Sequence, residues 1–178
     1  MGAQRDGIIP AMHTESRASG PDKEITPLPR RIQTIGRCVM LSKGCVLLCR
    51  DLKGGYSYLP GGHVEPGETA FQAIQRELQE EVGTEVRDGT IVMIAEHLYR
   101  QRGKPKHEIN LVFHVEHSLD ALREVASLES HIEFWWAELA SLPEIDLRPE
   151  FMRAWLLTDH SAPLTKHLPL WLSVSDTA

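Results

Sequence analysis

With 178 residues, 42% hydrophobic and 25% charged, the chain has ordinary globular composition and the length of one domain, or of one domain with a tail. Its 19 basic and 25 acidic residues give a formal net charge of −6, which excludes a mainly electrostatic nucleic-acid binder, since such proteins are basic overall. The average conceals opposed local fields. Residues 62–84 hold five acids and one base, residues 100–106 four bases and no acid, and residues 116–150 nine acids and two bases.

Residues 1–29 are polar sequence punctuated by Gly and Pro without an apolar period, and read as a flexible N-terminal leader; residues 30–178 then form the domain. No apolar h-region opens the chain, and no apolar run approaches the roughly 20 residues of a bilayer span, so a cytoplasmic protein with no membrane partner is expected. Cys38, Cys45 and Cys49 are too few and too closely spaced for a disulfide framework and match no zinc pattern. Set among Val and Leu, they read as small buried thiols of a reducing compartment.

The apolar runs at residues 32–41 and 45–50 predict two strands joined through Ser42, Lys43 and Gly44 as a hairpin. Residues 51–55 are turn-rich, and Leu59-Pro60-Gly61-Gly62 leads into the first acidic block. A helix is predicted from Thr69, where Thr69 and Gln72 form a capping box, to Gly83, a natural residue to follow a helix end. Its core stripe is Phe71, Ile74, Leu78 and Val82. Further strands are predicted at residues 86–99, 108–116 and 131–137. In the second of these Leu111, Phe113 and Val115 share one face, and in the third Ile132, Phe134 and Trp136 share a core face. A second helix runs from about Pro149 through Phe151, Met152, Trp155 and Leu156.

Glu77, Glu80 and Glu81 crowd one flank of the first helix in its last turns, where they repel one another and the negative end of the helix macrodipole. A solvated Glu-rich face is the bland reading. A bound divalent cation would turn both penalties into binding energy, and all-oxygen ligands select Mg²⁺ or Mn²⁺ over zinc. Pro60-Gly61-Gly62 permits close backbone approach, so the Gly62 carbonyl is a further candidate ligand. The chemistry such a site supports is metal-assisted displacement at phosphorus.

The pattern Gly62-x5-Glu68-x7-Arg76-Glu77-Leu78-x-Glu80-Glu81-x-Gly83 resembles the Nudix box of the Nudix hydrolases, MutT-like enzymes, departing from it at Thr84, where an aliphatic residue is usual. The resemblance implies an α/β fold, a Nudix-type α/β/α sandwich around a mixed β-sheet, and hydrolysis of a nucleoside diphosphate linked to another group. By position it implies that Glu77, Glu80 and Glu81 bind Mg²⁺ beside the Gly62 carbonyl. It further implies that Arg76 steers a carboxylate and that Glu68 holds the loop-to-helix geometry. In this family the catalytic base is a box glutamate in some members and a glutamate from a later loop in others; Glu108 is the candidate here for the second kind.

On the substrate side, Arg100, Arg102, Lys104 and Lys106 read as an exposed loop, either a solvated tip or a lid that clamps phosphate, with Arg50 a weaker candidate of the same kind. His107 sits where that loop meets a strand. Tyr58 and Trp135 are the candidates to stack on a nucleobase. A Mg²⁺-dependent pyrophosphohydrolase acting on a nucleotide sugar, ADP-ribose or a (deoxy)nucleoside triphosphate is therefore expected, and many relatives look dimeric. The alternatives are a non-catalytic nucleotide-sensing module, whose box would have lost carboxylates that are all kept here, and a diphosphate isomerase, which would need a poised cysteine. RNA decapping would call for a basic track longer than residues 100–106. The acidic stretch 116–150 reads as solvated surface.

Overall fold

The computed structural model describes residues 31–158 and 169–176; the leader expected over residues 1–29 lies outside them. The first apolar run, read as one strand, divides at Met40. β1 (Gln33–Val39) ends there, and β2 (Leu41–Ser42) belongs to another sheet. Val39 and Met40 are both fully buried but in different hydrophobic clusters, so the run serves two layers at once. β2 turns back into β3 (Cys45–Asp51) through Lys43 and Gly44, at φ 50° and 78°, the pair of positive values that suits a two-residue hairpin.

β1 lies in a five-stranded sheet of order β5-β1-β7-β6-β9, with β5 at Gly61–His63, β6 at Gly89–Gln101, β7 at Lys104–Val115 and β9 at Leu170–Ser175. The sheet is mixed: β1 runs parallel to β7 and antiparallel to β5, and β9 runs parallel to β6. β2, β3 and β4 (Ser57–Tyr58) form the second sheet, with β8 (Ile132–Glu138) antiparallel to β3.

Helix α1 (Ala70–Val82) starts as the sequence predicts. Thr69 accepts from the Gln72 N–H, the Gln72 side chain accepts from the Thr69 N–H, and Gly83 ends the helix at φ 66°. Ile74 and Leu78 are fully buried against Cys38, Met40, Leu47, Cys49 and Phe134, with Phe71 and Val82 at the margin. Gly36 sets how closely α1 sits on β1, because a Cβ there would come within 2.7 Å of the Ala70 carbonyl oxygen. Helix α2 (Glu150–Leu156) covers the other cluster, Met152 and Leu156 packing with Val39, Leu48, Val112 and Leu142. The sheets thus lie between α1 and α2, the expected α/β/α sandwich.

One expectation is corrected. Residues 100–106 are not a loop: β6 runs to Gln101, β7 starts at Lys104, and only Arg102 and Gly103, at φ 50° and 75°, connect them. β7 is buried on both faces, Val112 on one and Val115 on the other. β4, β5 and β9 have no counterpart in the sequence reading. Among the described residues no helix is long and apolar enough to cross a membrane.

Candidate active site

Gly62 and Glu77 fix the first contact of the site. A Cβ on Gly62 would lie 2.1 Å from Glu77 Oε1, so only glycine lets the α1 carboxylate settle against β5. Gly62→Ala is therefore expected to keep the fold, since a side-chain terminus can move aside, and to cost about tenfold or more in turnover by displacing that carboxylate. A steady-state assay beside a melting curve checks it.

Arg76 organises the flank. Its Nε and Nη2 donate to the two carboxylate oxygens of Glu68 (3.2 and 2.9 Å), a bidentate pair. Nη1 donates to Glu77 (2.9 Å) and Glu80 (3.3 Å), and Nη2 also reaches the His63 carbonyl (3.2 Å). Glu68 in turn accepts from the Glu65 N–H at 2.9 Å, which ties the loop to the helix. These bonds hold the Glu68 carboxyl below its usual range.

Glu81 differs from its neighbours. It is 8% exposed, and its Oε2 is buried without a partner among the described residues. Burial, with the charges of Glu77, Glu129 and Glu80 added, pushes its pKa up to about 8, although Arg37 opposes the shift. Glu129 comes near because the Leu128 N–H donates to the Glu81 carbonyl at 2.7 Å. A buried carboxylate oxygen with nothing to bond, beside two more carboxylates, suits a hard divalent cation. Among the described residues these groups do not already converge as a cage of three ligands, and Arg76 occupies Glu77 and Glu80.

A cleft of about 740 Å³ opens over the five-stranded sheet, from Gly61, Gly62 and His63 across Arg37, Glu108 and Tyr99 to His97 and Asp176, with Tyr58 and Arg148 on its walls. Glu108 accepts a short hydrogen bond from the Tyr99 hydroxyl. Burial and this bond both raise the tyrosine's pKa. Arg37 lies with its guanidinium 5.2 Å over the Tyr58 ring and donates from Nη1 to the Leu59 carbonyl at 3.0 Å.

Of the residues singled out from the sequence, Gly62, Tyr58 and Glu108 line the cleft, as do Arg100 and Lys106. Arg102 and Lys104 stand at the tip of that hairpin, outside the lining. His107 pairs with Glu96 at 2.9 Å, away from the cleft lining. Arg50 lies 4.9 Å over Trp135 and reaches Glu133 at 3.4 Å, and neither Arg50 nor Trp135 lines the cleft. Ile132, Phe134 and Trp136 pack on the α1 side, as expected, while Trp135 packs on the α2 side. The acidic stretch is more than solvated surface: Asp146 and Glu150 line the cleft, paired with Arg148 and Arg153.

The reading missed Arg37, Tyr99, His97 and Asp176. The first carries a visible signal, a lone cation in the apolar run of β1. For Tyr99 the signal is Arg102-Gly103: a two-residue turn there sets His97 opposite Glu108 and puts Tyr99 on the same face.

A mixed-sheet sandwich with a carboxylate-bearing helix beside a glycine strand is the architecture that the sequence resemblance implies. Residues 31–157 match the NUDIX domain, and the chain belongs to this family. Nucleoside triphosphatase NudI of Escherichia coli is 32% identical over 127 residues, 66% of this chain and 89% of that protein. The 8-oxo-dGDP phosphatase NUDT18 of Danio rerio is 29% identical over 117 residues, and the chain spans about a third of it, 33%. In fold, the MutT protein of Bacillus halodurans superposes with a TM-score of 0.62 at 18% identity, over 80% of this chain and 89% of that one. The MutT Nudix hydrolase of Burkholderia pseudomallei gives 0.60 at 22%, over 72% and 99%. The family generally uses divalent metals.

Proposed function

We propose that the chain is a Mg²⁺-dependent pyrophosphohydrolase that cleaves a nucleoside diphosphate linked to another group, Mn²⁺ serving in place of Mg²⁺. The observation that carries this is Glu81, a buried carboxylate with a bare oxygen beside Glu77 and Glu80 at the negative end of α1. Glu77, Glu80, Glu81 and the Gly62 carbonyl hold the ion. When bound, it neutralises phosphoryl oxygens and lowers the pKa of an attacking water. Arg76, clamped by Glu68, orients Glu77 and Glu80. Glu108, oriented by the Tyr99 hydroxyl, is the candidate to take the water's proton, and Tyr58 offers a ring to the substrate.

A nucleoside triphosphatase and an 8-oxo-dGDP phosphatase among the relatives make nucleoside di- and triphosphates the first substrates to try. ADP-ribose and nucleotide sugars complete the set. The free, buried thiols of Cys38 and Cys49 support a reducing, cytoplasmic setting. Burial pushes Cys49 up to about 12 and Cys38 higher still, so neither resembles the poised thiol of an isomerase.

The test is turnover of that panel with Mg²⁺, with Mn²⁺ and with a chelator. Metal-dependent release of a nucleoside monophosphate is expected from at least one member and should vanish with the chelator. Tight nucleotide binding with no turnover under either metal would point instead to a sensing module.

A further inference from the structure

β9 lies outside the residues that match the NUDIX domain, yet the residue that follows it, Asp176, lines the cleft. It pairs with β6 in parallel from Met93 opposite Leu170 to Leu98 opposite Ser175. Asp176 follows at once. Its N–H donates to the Leu98 carbonyl at 2.8 Å, and its Oδ2 lies 2.7 Å from His97 Nε2. His97 is 5% exposed, stacked on Tyr99 with centroids 4.5 Å apart and met edge-on by Phe151 at 5.3 Å. An imidazole held on two sides cannot swing, so the Nε2–H that it donates fixes where the carboxylate points. Asp176 itself remains 58% exposed and lines the cleft, an oriented acceptor open to a ligand.

Four inter-strand spacings, roughly 19 Å, separate Gly62 on β5 from Asp176 beyond β9 across the sheet. With the phosphates held at the Gly62 end, the nucleoside reaches toward the Asp176 end. At that end Asp146 and Glu150 are paired with Arg148 and Arg153, which leaves the Asp176 carboxylate, held by His97, open to a ligand. Such an acceptor suits a neutral group bearing N–H or O–H donors.

We propose that β9 is a specificity element of this hydrolase: Asp176, positioned by His97, accepts a hydrogen bond from the nucleoside part of the substrate, a sugar hydroxyl or a base N–H. The inference rests on the nucleotide reading above, which sets the direction in which the substrate lies.

The full chain, Asp176→Asn, His97→Gln and the double variant are compared on ribo- and deoxyribonucleoside triphosphates of every base, with melting temperature as a control. KM for the preferred substrate is expected to rise about tenfold in each single variant with kcat changed less than about threefold. Preferences between substrates should flatten, and the double variant should be no worse than either single one. Flattening between ribo and deoxy forms assigns the hydroxyl; flattening among bases assigns the base N–H. If either variant melts well below the parent, Asp176→Glu replaces it, with the same flattening expected from the displaced carboxylate. The proposal is overturned if the parent shows no preference, if the variants keep its ratios, or if KM rises equally for every substrate. A parent that turns over no nucleotide at all sinks the functional reading and this one together, whereas an active parent with unaltered variants sinks only the role of Asp176.

Discussion

Replacing Glu81 by glutamine is expected to stabilise the metal-free protein in alkaline buffer while removing about a hundredfold or more of its hydrolytic activity, since a lost ligand forfeits several kcal/mol of charge stabilisation. The two effects have one cause. With its pKa pushed from 4.5 up to about 8 by burial and by Glu77, Glu129 and Glu80, the Glu81 carboxyl opposes folding when it ionises. Below pH 4.5 the group is neutral folded and unfolded and costs nothing; the cost grows as pH rises from there and is complete above pH 8. Glutamine removes this cost at high pH, and the gain is on the order of 1–3 kcal/mol, the usual penalty of a buried unsatisfied group. Melting curves in chelator at acid and alkaline pH measure it: parent and variant should converge near pH 4.5 and separate above it. Added Mg²⁺ should close the gap by stabilising the parent more. A variant that melts no higher than the parent in alkaline chelator would contradict the assignment.

Arg76→Lys is the second large effect. A lysine presents one ammonium where Arg76 spreads three nitrogens over Glu68, Glu77, Glu80 and the His63 carbonyl. The bidentate bond to Glu68 is lost first, and with it the fixed position from which Nη1 holds Glu77. Turnover should fall by roughly 30- to 100-fold, in keeping with the sensitivity of such reactions to misplacement by about 1 Å. Because Arg76 works through the carboxylates, the Mg²⁺ concentration for half-maximal rate should rise as well, which a purely structural role would not produce. Glu68→Gln should move both quantities in the same direction but less, and the double variant should cost less than the sum of the two. Strict additivity would show that Arg76 and Glu68 do not act as a unit.

Much of this site can be read along the chain because its parts are local. Thr69, Gln72 and Gly83 punctuate α1 by rules that need no tertiary context, and they set Glu77, Glu80 and Glu81 on one flank. What the sequence conceals is long-range. That Glu81 alone of the three is buried is a matter of tertiary packing, in which the Leu128 N–H also meets the Glu81 carbonyl across 47 positions of chain. The basic residues 100–106 look like a loop because charge, Gly and Pro mark loops on average; here the strand pairing runs through Pro105 and Lys106 and overrides that local preference. Asp176 meets His97 across 79 positions of chain, and no periodicity links them. Trp135 fails as a stacking platform for a simpler reason: alternation puts it on the opposite face of β8 from Phe134, and that face is also core.

The break at Met40 bears on how the molecule comes apart. Val39 is the last residue of one sheet and Leu41 the first of the other, and the Leu47 N–H donates across the join to the Met40 carbonyl at 3.0 Å. Neither sheet can peel away without dragging the same three residues out of two cores. Opening of β1 and of β3 is thereby expected to be coupled, so that in native-state hydrogen exchange their slowest amides should share one opening free energy, that of the whole domain.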